Sequence, residues 1–395
     1  MSKKVKLKDA LKNAELFIDG DWIESKDQDQ NGDIRLIQLA DIGNGKYLNK
    51  SSRFMTSEKA EKLKCTFIEK GDILLARMPE PLGRSCLFLG DEKPCVTVVD
   101  ICIIRPDKTI NRSYLNHQIN SSFVRNQINN YITGTTRKRI SRSNLGKVEI
   151  LLPSLEKQKQ IAKTLDKANE LIELRKESIT KLDALAKSIF IDMFGDPAIN
   201  PKKFDVKLLD EVSLKITDGE HGTVERTDTG KMYLMARNIS HFGTIDFSDV
   251  SYISEENHNR IYKRCNAEYN DLLLVCVGAT IGKCTLVPKM ESFSLARSVA
   301  LIKPSLDKIL SNYLLHFFRS EYIGREIKSA SNSSAQAGLY LGAIKKIKII
   351  VPPIELQNKF AKIIEKIEEQ KSLYEKELEK LQNNFDALLQ KSFQE

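Results

Sequence analysis

Two stretches of the chain carry apolar residues at spacings that alternate between four and three. The first runs through Ile161, Leu165, Ala168, Ile172, Arg175, Ile179, Leu182, Ala186 and Ile189. The second runs through Phe360, Ile364, Ile367, Lys371, Tyr374, Leu378, Leu381, Phe385 and Leu388. A heptad seam sustained over four repeats predicts coiled-coil packing, in preference to a surface helix lying on its own domain core. Each helix is expected to run about 40 residues, or about 60 Å at 1.5 Å per residue. The seams coincide at an offset of 199 residues, whereas Asp183-Ala-Leu185 resembles Asp386-Ala-Leu388 at 203, about one helical turn away.

Outside these stretches the apolar runs are short and bounded by Gly, Pro and Asp, which predicts strands. They are Ile34–Leu39, Asp72–Ala76 and Val96–Ile104, then Tyr233–Ala236, Asp271–Val277 and Val299–Ile302. Short helices lie between them, one opened by Ser311-Asn-Tyr-Leu-Leu-His-Phe-Phe318. The two sets echo each other in order. Asp19-Gly20 matches Asp218-Gly219, Gly71-Asp-Ile-Leu-Leu75 matches Asn270-Asp-Leu-Leu-Leu274, and Gly83-Arg84 matches Gly282-Lys283. Arg105-Pro106 matches Lys303-Pro304, Tyr114-Leu115 matches Tyr313-Leu314, and Pro153-x-Leu-Glu-x-Gln158 matches Pro352-x-Ile-Glu-x-Gln357. Many matches in one order read as a duplication. The expected fold class is α/β (α+β): residues 1–152 and 197–351 form two domains, each followed by a helical spacer, 153–196 and 352–395. Matching seams allow the two helices to pair antiparallel about a pseudo-twofold axis, a ruler with a reader at each end, which suits a split target on a duplex.

At 395 residues the chain has room for two or three domains with cores of their own. The formal net charge is +9, yet the segments 154–193 and 354–395 together carry −1. The basic excess therefore lies in the globular parts and suggests a polyanionic partner. No apolar run is long enough to span a bilayer, since Leu272–Val277 is the longest. Residues 1–9 are charged and have no apolar region of a secretory signal. Seven scattered cysteines without Cys-x-x-Cys argue against a disulfide framework or structural zinc and fit a reducing cytoplasm.

This plan resembles the specificity (S) subunit of type I restriction–modification systems. The residues that carry the resemblance are Tyr/Phe-x-x-x-Glu at 54–58 and 252–256, the strand motif at 71–75 and 270–274, and Gly-Arg/Lys at 83–84 and 282–283. The boundary motif at 152–158 and 351–357 and the segment Asp183–Pro197 complete it. The Lys-rich residues 3–12 have no place in that pattern. The resemblance implies two target-recognition domains that each read a few base pairs of double-stranded DNA, with helices that set the unread gap. It implies docking of two methyltransferase (M) subunits that use S-adenosylmethionine, and of restriction (R) subunits that hydrolyse ATP. An alternative is the DNA-reading subunit of a type II-like fused restriction–methylation enzyme; another is a coiled-coil scaffold that binds proteins only.

Motifs for chemistry within the chain are missing from the sequence, so no enzyme activity and no cofactor are expected. Val351-Pro-Pro-Ile354 lacks the polar and aromatic flanks of an adenine methyltransferase loop. Gly278-Ala-Thr-Ile-Gly-Lys-Cys284 is too short for a P-loop and reads as a turn between strands. Asp91-Glu-Lys93 reads as a solvated loop, and the histidines at 117, 221, 241, 258 and 316 have no metal-ligand spacing.

Base reading calls for Arg, Lys, Asn or Gln at base edges with supporting phosphate contacts. The densest basic loop, 133–142, offers Arg137, Lys138, Arg139 and Arg142. Its counterpart at 329–338 offers Asn332, Ser334 and Gln336, and by resemblance both loops approach DNA. Further candidates are Arg77, Arg84, Lys283, Arg297, Arg237 and Asn238, for which surface salt bridges are the competing explanation.

Overall fold

A computed structural model describes residues 3–78, 81–134, 137–240, 243–332 and 338–394, with backbone alone at 331–332. The chain folds as two units, residues 1–176 with 376–395 and residues 177–375.

In the first unit, Ile73–Ala76 and Ile101–Arg105 form the centre of a four-stranded antiparallel sheet, flanked by Ser85–Leu87 and Leu16–Asp19. Both central strands are buried along their whole length. Their alternate side chains enter two cores, as the pleat requires. Ile73, Leu75, Cys102 and Ile104 pack with Leu115, Ile119, Val124 and Ile128 of the helices Arg112–Asn120 and Ser122–Asn130. Leu74, Ala76, Ile101 and Ile103 pack on the other face with Ile37, Ile42 and Phe88. A sheet covered on both faces needs continuous apolar runs rather than alternation, which is the pattern the sequence carries.

A second sheet of three strands joins Phe54–Met55, Ile34–Ile37 and Cys95–Thr97, the last pair parallel. The run expected as one strand over 96–104 is therefore two, in different sheets. The chain reverses at 98–101, where the Ile101 N–H donates to the Val98 carbonyl (2.9 Å). Both flanking strands are buried, so hydrophobicity does not mark the break; only Asp100 does. Lys3–Lys6 pairs antiparallel with Glu149–Leu152.

The second unit repeats this order. Its four-stranded sheet runs Ser213–Asp218, Val299–Pro304, Leu272–Val275, Cys284–Leu286, and its three-stranded sheet runs Ser251–Ile253, Lys231–Leu234, Ser294–Leu295. Asp205–Leu208 pairs with Lys348–Val351. Since Lys3–Lys6 occupies the equivalent place, the Lys-rich start is the opening strand of the repeated domain. The duplication extends to the buried polar frame. Asp72 holds Arg105 (2.8 and 2.7 Å) and Asp271 holds Lys303 (2.6 Å), so the repeated Asp and Arg/Lys motifs are partners. The Tyr114 hydroxyl donates to the Leu151 carbonyl (2.8 Å) and the Tyr313 hydroxyl to the Ile350 carbonyl (2.7 Å).

The long helices are Leu155–Phe194 and Ile354–Ser392. In the first unit the start of the central helix meets the end of the C-terminal one: Ala162 and Leu165 pack with Phe385, Leu388 and Phe393. In the second unit Ala186, Phe190 and Phe194 pack with Phe360, Ile364 and Ile367. The helices are thus antiparallel, as expected. Ile161, Leu165, Ile172, Ile179, Leu182, Ile189, Phe360, Ile364, Ile367, Leu378, Leu381, Phe385 and Leu388 are all buried or half-buried. The ends follow the 199-residue offset: Phe194 lies 4.7 Å from Tyr313, and Phe393 lies 5.4 Å from Tyr114. Each such buried ring contributes about 1.5–3 kcal/mol. The polar seam residues are paired, Arg175 with Glu377 (2.8 Å) and Lys371 with Asp183 (2.6 Å).

Candidate nucleic-acid interface

In the first unit the strand Ile73–Ala76 delivers Arg77 to the turn at 98–100. Its backbone N–H donates to the Asp100 carbonyl (2.9 Å), its Nη2 donates to the Val99 carbonyl (2.6 Å), and its Nε pairs with Asp19 (3.2 Å). The Ile140 N–H donates back to the Arg77 carbonyl (3.1 Å), which fixes the basic loop beside this strand end. Thr133 and Arg139 exchange two backbone hydrogen bonds of 2.9 Å, closing a hairpin that Gly134 turns at φ +92°. Arg137, Lys138 and Arg139 project from it and are exposed. Arg142 follows, exposed, on a short helix capped by the Ser141 hydroxyl, and reaches the Phe17 carbonyl (3.4 Å).

The structure therefore brings Arg77, Arg137, Lys138, Arg139 and Arg142 to one edge. Arg77 differs from the others, because its side chain is only 15% exposed and its donors are committed inward. In the second unit Arg264 does the same work, pairing with Asp218 (3.3 Å) at the matching Asp-Gly turn.

The equivalent edge of the second unit is formed where Val277 bridges Gly338 and the Leu339 N–H donates to the Cys276 carbonyl (2.8 Å). Arg297 is exposed here, and its guanidinium makes no hydrogen bond or ion pair among the described residues. Ser334 and Gln336 lie outside the described residues, as does the side chain of Asn332.

Two candidates turn out to hold loops rather than present themselves. Asn238 is 1% exposed; its amide donates to the Asp246 and Asp249 carbonyls (3.1 and 3.0 Å) and accepts from the Met235 N–H (3.0 Å). Asp41 does this in the first unit, accepting from the Lys50, Ser51 and Gln38 N–H groups at 2.6–2.7 Å. Arg84 is half-buried and donates to the carbonyls of Ile42 (2.8 Å), Leu39 (3.1 Å) and Pro81 (3.3 Å), and burial holds its pKa below the usual arginine value. Both corrections have one cause: a polar side chain beside a turn is consumed by the carbonyls and N–H groups that the turn leaves unpaired. Arg237 pairs with Asp249 (2.9 Å) and shares a groove with the half-buried Lys283, Thr244 and the exposed Phe247.

Sequence reasoning missed Arg125. It donates to the Leu82 carbonyl and to the side-chain oxygens of Asn44 (2.6 Å) and Asn120 (3.0 Å), and burial pushes its pKa down to about 10. Only the fold brings Asn44 to this helix.

Asp91-Glu-Lys93 is an exposed bend, as expected, but two of its side chains are engaged. The Asp91 carboxylate pairs with the buried Arg35, and Lys93 donates to the Gly32 carbonyl (3.0 Å) over the Phe54 ring. Gly278–Cys284 is a turn leading into the strand Cys284–Leu286. The seven cysteines are free thiols, and burial pushes Cys86 up to about 12. Among the described residues no group of three or more His, Cys, Asp or Glu could hold a metal ion, and no helix is long and apolar enough to cross a membrane.

The family model for the type I restriction modification DNA specificity domain matches residues 2–184 and 219–383. The type I restriction enzyme MjaVIII specificity subunit of Methanocaldococcus jannaschii is 25% identical over 333 residues, 80% of this chain and 76% of that protein. The MjaIX specificity subunit of the same organism is 22% identical over 377 residues, 91% of this chain and 86% of that one. The crystal structure of the type I restriction-modification S subunit from M. genitalium shares the fold, with a TM-score of 0.59 at 18% identity over 100% of this chain and 96% of that chain. With two matched segments that together cover most of its length, each falling on one copy of the repeated sheet order, the chain belongs to the type I restriction–modification DNA specificity domain family.

Proposed function

We propose that this chain reads a split, asymmetric target on double-stranded DNA for a type I restriction–modification complex. The domain of residues 1–152 reads one half-site and that of 197–351 the other. The helical segments 153–196 and 352–395 dock two methyltransferase subunits, restriction subunits complete the nuclease, and the complex works in the cytoplasm. The chain supplies recognition and its partners supply the chemistry.

One observation carries this reading: the two units share a buried frame and differ in the sequence of one loop. The Asp72–Arg105 and Asp271–Lys303 pairs and the paired sheets are common to both. The loop at one edge is Arg137-Lys-Arg139 in the first unit, and the matching loop holds Asn332, Ser334 and Gln336 in the second. A constant frame with different donors and acceptors is what two different half-sites require. Phosphate contacts set the register of each domain, and base-edge contacts from the loops select the sequence.

The test is methylation sequencing of DNA from cells that make this chain with its neighbouring methyltransferase subunit. The expected result is a motif of two short half-sites with a fixed gap, lost when the gene for this chain is deleted. Absence of any such motif, with the partner present and folded, would favour a scaffold that binds proteins only.

A further inference from the structure

The Lys-rich start of the chain has a definite place. Strand Lys3–Lys6 pairs with Glu149–Leu152, the Leu7 N–H donates to the Val148 carbonyl (2.8 Å) and the Lys8 N–H to the Gly146 carbonyl (3.0 Å). The approach is close: a Cβ at Gly146 would sit 3.1 Å from the Cβ of Lys8. Residues 3–12 are thus laid against residues 142–149, the continuation of the basic hairpin. The segment 137–147 contains five basic residues and no acid, and the segment 3–12 contains five lysines and only Asp9 as an acid. Lys8, Lys12 and Lys147 are exposed, as are Arg137, Lys138, Arg139 and Arg142. Lys147 is oriented by the Asn144 side chain (2.9 Å). Among the described residues, the side chains of Lys8 and Lys12 make no hydrogen bond or ion pair.

The second copy is the control that the duplication provides. There the Leu209 N–H donates to the Ile347 carbonyl (2.8 Å), which places Asp210 where Lys8 stands and Glu211 where Asp9 stands. Asp210 pairs with Lys345 (3.2 Å). The place of Lys8 is thus acidic and paired in the second unit and basic and unpaired in the first, whereas an exposed lysine, Lys346, stands where Lys147 does.

We infer that Lys8, Lys12 and Lys147 extend the first domain's contact surface along the sugar–phosphate backbone of duplex DNA beyond the bases it reads. This inference rests on the function proposed above. Exposed lysines act as point charges that suit phosphates and carry no base preference. The strip supplies affinity and salt dependence, while the sequence read stays with the hairpin.

The experiment uses the chain assembled with its methyltransferase subunits and a duplex carrying the methylated motif. Binding is measured from low to physiological salt for the unaltered complex, for Lys8→Gln/Lys12→Gln/Lys147→Gln, and for the triple Lys→Arg variant. Three lost phosphate contacts should reduce the slope of log affinity against log salt by about 2–3. The Arg variant should keep the original slope, and the methylated motif should be the same in all three. An unchanged slope in the Gln variant, with target binding intact, overturns the strip alone. So does loss of methyltransferase assembly at an unchanged slope, which would assign the strip to an acidic protein surface. Failure of the unaltered complex to bind DNA overturns the proposed function and the strip with it.

Discussion

The Asp72 carboxylate grips the Arg105 guanidinium at two points, Nε at 2.8 Å and Nη2 at 2.7 Å, with Asp72 wholly buried and Arg105 8% exposed. Glu69 adds a third contact to Nη1 at 2.8 Å. Removing one partner strands the other in the interior. Asp72→Ala should therefore cost about 3–5 kcal/mol, whereas replacing both residues together, Asp72→Leu with Arg105→Met, should cost far less. Urea unfolding of the full chain measures both. Equal losses in the single and double variants would mean that the pair is not the frame of this sheet.

The glutamine of the boundary motif explains why that motif occurs twice. Gln158 Oε1 accepts from the Asn111 N–H (2.9 Å) and Gln357 Oε1 from the Leu310 N–H (2.8 Å). Their Nε2 groups donate to the carbonyls of Pro153 (3.0 Å) and Pro352 (2.8 Å). Each glutamine thus fastens the first turn of a long helix to the loop that opens a domain helix. Gln357→Leu leaves a buried N–H and two carbonyls unpaired and should cost about 2–3 kcal/mol. Gln357→Glu keeps the acceptor but sets a carboxylate against the Lys308 and Pro352 carbonyls. Its loss should shrink as the pH falls and the carboxyl takes a proton. A pH-independent loss would argue that packing, not donation, is what Gln357 provides.

The parts of the fold that repeat were legible because two copies of one physical requirement leave two copies of the residues that meet it. The paired Asp and Arg/Lys motifs, the boundary glutamines and the heptad seams are all of this kind. The split of 96–104 into two strands was hidden because strands buried on both sides read as one apolar run. Asn238 and Arg84 were misread for a different reason: composition marks a residue as able to hydrogen-bond, but only the folded turn decides whether a carbonyl or the solvent takes the bond. Arg137 to Arg139 lie in a segment, 137–147, that holds no acid, and all three are exposed.

His316 makes the second unit sensitive to acid. It is 7% exposed, sits 5.2 Å from the Phe360 ring, and its Nε2 has no partner among the described residues. Burial, with Arg319 and Lys371 nearby, pushes its pKa down to about 3. The unfolded chain binds this proton near pH 6.5 and the folded chain does not, so stability is lost as the pH falls from about 6.5 towards 3. The rate is about 1.4 kcal/mol per pH unit for one such group. Between pH 7 and pH 5 the native chain should lose about 2 kcal/mol more than His316→Phe, which keeps an aromatic ring against Phe190 and Phe360. Parallel stability curves for the two proteins would show that the imidazole is protonated within the fold.

Arg137 and Asn238 separate residues that meet DNA from residues that hold the surface in shape. Arg137 is exposed on a closed hairpin with no acidic residue in 137–147 to engage it. If it reads a guanine, Arg137→Ala should weaken binding of the target by about 1–3 kcal/mol and relax one position of one half-site. If it touches only phosphate, the loss should be the same on every duplex and the salt slope should fall by about 1. Asn238→Ala should behave differently in kind. Its three buried hydrogen bonds fix the loop after Arg237, so the protein should lose about 2 kcal/mol of stability, and any loss of DNA binding should follow that unfolding rather than a position of the motif. Competition binding with a panel of single-position target variants resolves all three outcomes. A motif position relaxed by Asn238→Ala at unchanged stability would return Asn238 to the surface that reads DNA.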